Sequence, residues 1–262
     1  MSSEPVILER AGPVARIRFN RGEVLNALDT PSAEALLNIC RQIAADPANR
    51  VVVISGAGRA FMAGGDVAEF SGELAERSPR IEGLIAKLHQ AIEILTNLRS
   101  PVVASVHGAI AGAGVSIMLA ADLAIAADNS VINLAYAKLG ASPDGSSSWS
   151  LPRVVGVRKA LEIAMLSENI RADEALRLGL VNRVVAAGAL AAETEALADR
   201  LAAGPTFAYG KIKHLMRTSL ERTLRDQLDA ERQSFIECSK TGDFAAAVSG
   251  FLDKKPTAFK GM

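Results

Sequence analysis

The sequence predicts an α/β fold, and three observations carry that reading. Val51-Val52-Val53-Ile54 and Val102–Val106 are short runs dominated by β-branched residues, the composition of buried strands. Each run leads into a glycine cluster and then a helix. Gly56, Gly58, Gly64 and Gly65 precede a helix expected from Asp66 or Val67, and Gly108, Gly112 and Gly114 precede one ending near Ala121. The strand–glycine loop–helix unit thus occurs twice, at 51–70 and 102–121. Beyond Ala186 the pattern turns helical throughout. Alternating strands and helices favour an α/β core, here assigned to residues 1–200, with a helical segment over 201–262.

The elements follow in order. Val6–Glu9 and Val14–Phe19 read as strands about the Gly12-Pro13 turn. Thr30-Pro31 starts a helix, Thr as the cap and Pro at the first helical position. Leu36, Leu37 and Ile43 stripe it, and Asp46-Pro47 closes it. Ile81–Leu98 is a long helix with Leu84, Ile85, Leu88, Ile92 and Leu95 on one face. Leu123–Ala126 is a further core strand. Ala189–Ala203, Thr206–Ser219, Leu224–Cys238 and Phe244–Leu252 have helical spacing, punctuated by Gly188, Gly204-Pro205 and Gly242.

The 262 residues carry 29 Lys+Arg against 29 Asp+Glu. A neutral chain has no broad field to draw in nucleic acid or an anionic membrane. Two distant cysteines, Cys40 and Cys238, make neither a disulfide framework nor a metal-ligand spacing. They fit a reducing, cytoplasmic setting, and the first residues lack the pattern of a secretory signal. Ser100–Ala121 holds no Asp, Glu, Lys or Arg and is long enough to span a bilayer. Its Pro101, His107 and three glycines instead predict a buried strand, a turn and a buried helix.

Three places could carry chemistry. The two glycine loops bring backbone close to a ligand at a helix start, where free N–H groups carry partial positive charge. Two such loops could aim two N–H groups at one oxygen, an arrangement that stabilises an enolate or tetrahedral anion. Taken singly, each loop is equally well explained as a tight turn. Both contain Gly-x-Gly, but Phe61 and Ile117 stand where a dinucleotide fingerprint needs its third glycine. There is no phosphate-cradling loop with its Lys-Ser/Thr, and no Gly-x-Ser-x-Gly. His89, His107 and His214 are dispersed without metal spacing. The third place is Ser142-Pro143-Asp144-Gly145, where Asp144 reads as a base beside apolar groups or as a turn-forming carboxylate.

Taken together, these segments resemble the crotonase superfamily almost from end to end. The resemblance runs through Val24–Leu28, Gly56–Asp66, Pro101–Asp122, Lys138–Gly156, Glu174-Ala175, Gly179–Val181 and Phe251-Leu252. It implies a spiral of ββα units with a helical C-terminal trimerisation segment, assembled as a homotrimer or a dimer of trimers. It implies an acyl-CoA thioester as substrate, with CoA belonging to the substrate and no metal or redox cofactor. The family's oxyanion N–H groups fall on Gly65 and Ala113. Its acyl-CoA contacts fall on Asn26, Ala27, Leu28, Ala63, Gly65, Asp66, Val67 and Ala68, with Phe251 and Lys254 near the CoA phosphates. Asp66 is also expected to cap its helix.

One departure from the family pattern matters. The two glutamates of typical hydratases are replaced by Ser116 and Tyr136. Ser116 then leaves room beside the thioester, and Tyr136 either orients the acyl group or lines a wall. Asp144 falls where some members carry a catalytic Asp. Ala137–Asp144, Leu151-Pro152-Arg153 and Gln227–Arg232 resemble the branch that isomerises ring epoxides of phenylacetyl-CoA, with Ser146-Ser147 where paired glycines are usual. The resemblance implies an enoyl-CoA isomerase with Asp144 as base. A hydratase using Asp144, or a non-catalytic acyl-CoA binder, are the alternatives.

Overall fold

The computed structural model describes residues 4–262. Among the described residues nine strands are interspersed with six α-helices as far as Val185, and four more α-helices follow. Strands β1 (Val6–Ala11) and β2 (Val14–Phe19) form an antiparallel hairpin. Parallel strands then extend the sheet: β3 (Val51–Gly56), β4 (Val102–Val106), β6 (Leu123–Ala127) and β9 (Arg183–Val185), in the order β1-β2-β3-β4-β6-β9. A second, three-stranded sheet joins β5 (Ala109–Ala111), β7 (Val131–Asn133) and β8 (Ile170–Arg171).

A parallel sheet must be covered on both faces, and side-chain alternation divides the duty. Val52, Ile54, Val102, Ala104 and Val106 face the main core with residues of α1 (Thr30–Ala45), α2 (Leu74–Asn97) and α3 (Ala113–Ala120). Val51, Val53 and Val103 face α7 (Leu190–Ala202) through Ala198 and Ala202. Ala202, at the end of α7, still packs on the sheet, and α8 (Thr206–Thr218) follows it. The chain continues through α9 (Leu224–Ser239) and α10 (Gly242–Leu252). In chain order α4 (Ser147–Val155) and α5 (Val157–Leu166) lie between β7 and β8, and α6 (Ala172–Arg177) lies between β8 and β9.

The charge-free stretch after Ser100 is buried β4 and fully buried α3, as its composition predicts, with β5 between them. Among the described residues no helix is long and apolar enough to cross a membrane.

Several expectations shift. Asp29, not Thr30, caps α1: its carboxylate accepts the Ser32 N–H at 2.9 Å, which places Pro31 inside the first turn. The helix expected after Gly65 is one short 3-10 turn, Val67–Phe70, capped by Asp66. The long helix starts at Leu74 instead of Ile81. Residues 109–111, read as part of a turn, form β5.

Candidate active site

The two glycine loops pack against each other, backbone to backbone. Met62 and Ile110 form a parallel bridge, and Ala111 donates to the Met62 carbonyl at 2.8 Å. Two residues beyond that bridge, a Cβ added to Gly64 would meet the Ala111 carbonyl oxygen at 3.3 Å. A Cβ on Gly112 would sit 3.4 Å from the Gly64 Cα, and Gly112 has φ +46°. Side chains at 64 and 112 would push the loops apart.

Each of these glycines immediately precedes one of the proposed donors. Leu28 bridges Gly65, donating to Gly64 and accepting from Asp66, which leaves the Gly65 N–H outside the ladder. Ala113 is the first residue of α3, where a helix has no internal partner for an N–H. Among the described residues neither the Gly65 nor the Ala113 N–H has a hydrogen-bond acceptor. Ala113 is buried. Buried N–H groups are rarely left unpaired, so these two mark a place where an acceptor oxygen would be favoured. The Phe70 ring closes over Gly65, where a Cβ would meet it at 2.6 Å.

Around this pair the structure gathers residues from three further places. Ser116 lies one turn beyond Ala113 on α3, on the same side of the helix. Its hydroxyl donates to the Asp144 carbonyl at 3.0 Å. Tyr136 begins a 3-10 turn, Tyr136–Leu139, and donates its phenolic O–H to Asp144 Oδ1. Its ring lies 4.0 Å from a Cβ built on Gly112, so the carboxylate's partner stands beside the donor pair. Burial pushes the Tyr136 phenol above its usual range, and the Asp144 charge adds to the shift. Tyr136 thus stays protonated at ordinary pH and acts as a donor, not a base. Asp144 is half-buried, and its Oδ2 has no hydrogen-bond partner among the described residues.

The turn bearing Asp144 has an unusual backbone. Gly145 (φ +57°) and Ser146 (φ +71°) are both left-handed. At Gly145 glycine is required, because a Cβ would strike Ser116 Cβ at 2.8 Å. Ser147 donates to the Asp144 carbonyl through both N–H (3.1 Å) and hydroxyl (2.8 Å). From α2, His89 Nε2 accepts the Gly145 N–H at 3.2 Å.

The other predicted positions divide. Asn26 is buried, and its amide is spent inside the fold: it donates to the Ala57 and Ala60 carbonyls at 2.9 and 2.8 Å and accepts from Arg21 N–H. Leu28 is fully buried. This stretch can therefore offer a ligand its backbone and Ala27, but not the side chains of Asn26 or Leu28. Asp66 caps through the Ala68 N–H at 3.2 Å and pairs with Arg21 at 3.3 Å. Ala63 is partly buried beside the loop, while Val67 and Ala68 are exposed. Phe251 and Lys254 lie exposed at the end of α10, which packs on α9, away from the Asp144 turn.

The roles of Ser116, Tyr136 and His89 toward Asp144 were not readable from sequence. Ser116 ties down the turn, where only an absence of bulk was expected. His89, considered only as a metal ligand, touches the same turn. These residues span positions 89 to 144, and no local spacing links them.

Comparison with known proteins shows what the whole chain is similar to. The enoyl-CoA hydratase/isomerase family profile matches residues 9–262. The chain is 32% identical to 1,2-epoxyphenylacetyl-CoA isomerase of Escherichia coli K12, over 95% of each protein. It is 31% identical to the short-chain-enoyl-CoA hydratase of Clostridium acetobutylicum, over 97% of each. A crystal structure of an enoyl-CoA hydratase from Polaromonas sp. JS666 superposes with a TM-score of 0.90 at 33% identity, covering 97% of this chain and 99% of that one.

Proposed function

The chain belongs to the enoyl-CoA hydratase/isomerase family, and we propose that within it the protein is an acyl-CoA isomerase that works through Asp144. One observation carries the reading. Of the three residues converging on the site, Asp144 alone is a carboxylate, and Tyr136 and Ser116 are turned toward holding it. Hydration in this family is expected to divide acid and base work between two glutamates, and neither is present. An allylic shift needs one base that reaches two carbons on one face.

The step is written for a 3-enoyl-CoA. Asp144 Oδ2 takes the proton from the carbon next to the thioester carbonyl. The C–H electron pair moves into the carbonyl and makes a dienolate. Its oxygen accepts from the Gly65 and Ala113 N–H groups, each such donor supplying about 3 kcal/mol in the transition state. The protonated carboxyl then returns the proton at the γ carbon, the electrons shift back, and the conjugated 2-enoyl ester results. Tyr136 remains on Oδ1 throughout, leaving Oδ2 to carry the proton. With a ring epoxide next to the thioester, the same oxygen-stabilising pair would assist rearrangement. The balance is complete without a metal or redox group, and CoA arrives with the substrate. Cys40 and Cys238 are both free thiols, which supports a cytoplasmic setting. The exposed apolar side chains of α8, α9 and α10 support assembly as a homotrimer or a dimer of trimers, with Phe251 and Lys254 available to CoA bound at a neighbouring copy.

The test is turnover of a 3-enoyl-CoA and of crotonyl-CoA, side by side, for wild type and Asp144→Asn. The expected result is conversion of the 3-enoyl ester to the 2-enoyl ester, reduced on the order of 10²- to 10⁴-fold in the variant, with CoA-ester binding retained. Rapid hydration of crotonyl-CoA, with oxygen taken from labelled water, would make the protein a hydratase instead.

A further inference from the structure

We propose that His89 is a positioning residue for the catalytic turn: its Nε2 lone pair holds the Gly145 N–H and so fixes where the Asp144 carboxylate points. The proposal rests on Asp144 being the working base.

The turn cannot hold its shape from local preference. Gly145 and Ser146 are consecutive left-handed residues, and for serine that conformation costs on the order of 1 kcal/mol. Such backbone persists only where the surroundings over-determine it. The Asp144 carbonyl is fixed by Ser116 and Ser147, and the carboxylate by Tyr136. The planar peptide between Asp144 and Gly145 is thus held at its carbonyl end, and its other end is held only through the Gly145 N–H. His89 supplies that hold, from a different helix, at 3.2 Å.

The chemistry of the contact defines the residue. A backbone N–H needs an acceptor, so Nε2 must be unprotonated and the ring proton must sit on Nδ1. With its Nε2 lone pair engaged by an amide, His89 is not free to take a proton from substrate. The ring is exposed, so burial does not explain its placement. It closes one end of an open groove of about 530 Å³ along α2, whose other walls include Leu74, Ile81, Ile85 and Ala86. The helix thus meets the catalytic turn at one polar contact.

Two substitutions decide the matter. Gln places Oε1 near the position of Nε2 and can accept the same N–H, but it cannot transfer a proton. Leu keeps bulk and loses the acceptor. His89→Leu is expected to lower kcat for a 3-enoyl-CoA on the order of 10²-fold, the cost of about 1 Å of misplacement, with KM little changed. His89→Gln is expected to recover most of it. Gln as damaging as Leu would overturn the proposal in favour of proton transfer by the ring, and full activity in both would show that the contact is idle. A second measurement does not depend on turnover. Nitrogen-15 imidazole spectra of the wild type should show His89 as the Nδ1–H tautomer, and the Gly145 amide should exchange faster in His89→Leu than in wild type or His89→Gln. The opposite tautomer, or equal exchange in all three, overturns the proposal. If the wild type turns over neither ester but the tautomer and exchange are as expected, the isomerase reading fails and the His89 contact stands.

Discussion

At the scale of single residues, the site rests on which groups can titrate. Tyr136 stands where the family resemblance leads one to expect a glutamate, yet burial and the neighbouring carboxylate keep its phenol protonated. It can only donate, and its acceptor is the carboxylate that must accept a proton. A charge-assisted hydrogen bond of this kind is worth about 1.5–3 kcal/mol, and about 1.4 kcal/mol is tenfold in rate. Tyr136→Phe is therefore expected to lower kcat for a 3-enoyl-CoA by roughly 10- to 100-fold and to leave KM for the ester nearly unchanged. Steady-state kinetics checks this, and a variant as fast as wild type would reduce Tyr136 to a wall of the pocket. The turn at Asp144 and the capping role of Asp66 were visible in the sequence because turn and cap chemistry is local. The part played by Tyr136 was not, since orienting an acyl group and lining a wall require the same residue type. Only the fold shows that its hydroxyl meets Asp144.

Among the elements, the strands were legible and their neighbours less so. Val51–Ile54 and Val102–Val106 are unbroken apolar runs, the mark of strands covered on both faces. The early part of α2 escaped because Glu73–Arg80 carries mostly polar residues and Pro79, which removes one helical N–H. Strands β5 and β9, three residues each, are too short for alternation to register. A long-range clamp was equally silent. Asp122, between α3 and β6, accepts from Val102 N–H and pairs with Lys213 at 2.8 Å and Arg217 at 2.9 Å, both on α8. Lys213 also donates to the Leu95 carbonyl at 3.0 Å. Burial lowers the Lys213 pKa, against the raising effect of Asp122. Removing the carboxylate would strand a buried ammonium, a loss of about 3–5 kcal/mol when one partner of a buried pair is deleted. Asp122→Ala is expected to lower the melting temperature by roughly 6–20 °C, at about 2–4 °C per kcal/mol for a chain of this size. Proteolysis should then cut first near Gly204-Pro205. A melting temperature within a degree or two of wild type would mean that α8 is held by packing alone.

For the whole molecule, the helical segment is the part whose surface is least like that of an isolated chain. Ile212, Met216 and Leu220 recur every four residues along α8 and into the turn after it. Leu224, Leu228 and Phe235 follow helical spacing on α9, and all six are more than half exposed. A stripe with that period is what a helix uses to bury one face, and here nothing among the described residues covers it. The sequence showed the helices by their periodicity, but periodicity alone cannot say whether a stripe meets the chain's own core or another copy. Large exposed apolar patches mark interaction surfaces, and the family resemblance points to trimers. The protein is expected to sediment at three or six times its 27.5 kDa chain mass. Met216→Lys combined with Leu224→Lys places two charges in that stripe, and moving a charge into an apolar interface costs several kcal/mol. The double variant is expected to sediment as a monomer, with its helical circular dichroism retained. It is also expected to lose affinity for CoA esters if Phe251 and Lys254 serve a neighbouring copy. A variant still sedimenting as wild type would place the interface elsewhere, and a monomeric wild type would remove the neighbouring copy from the binding of CoA.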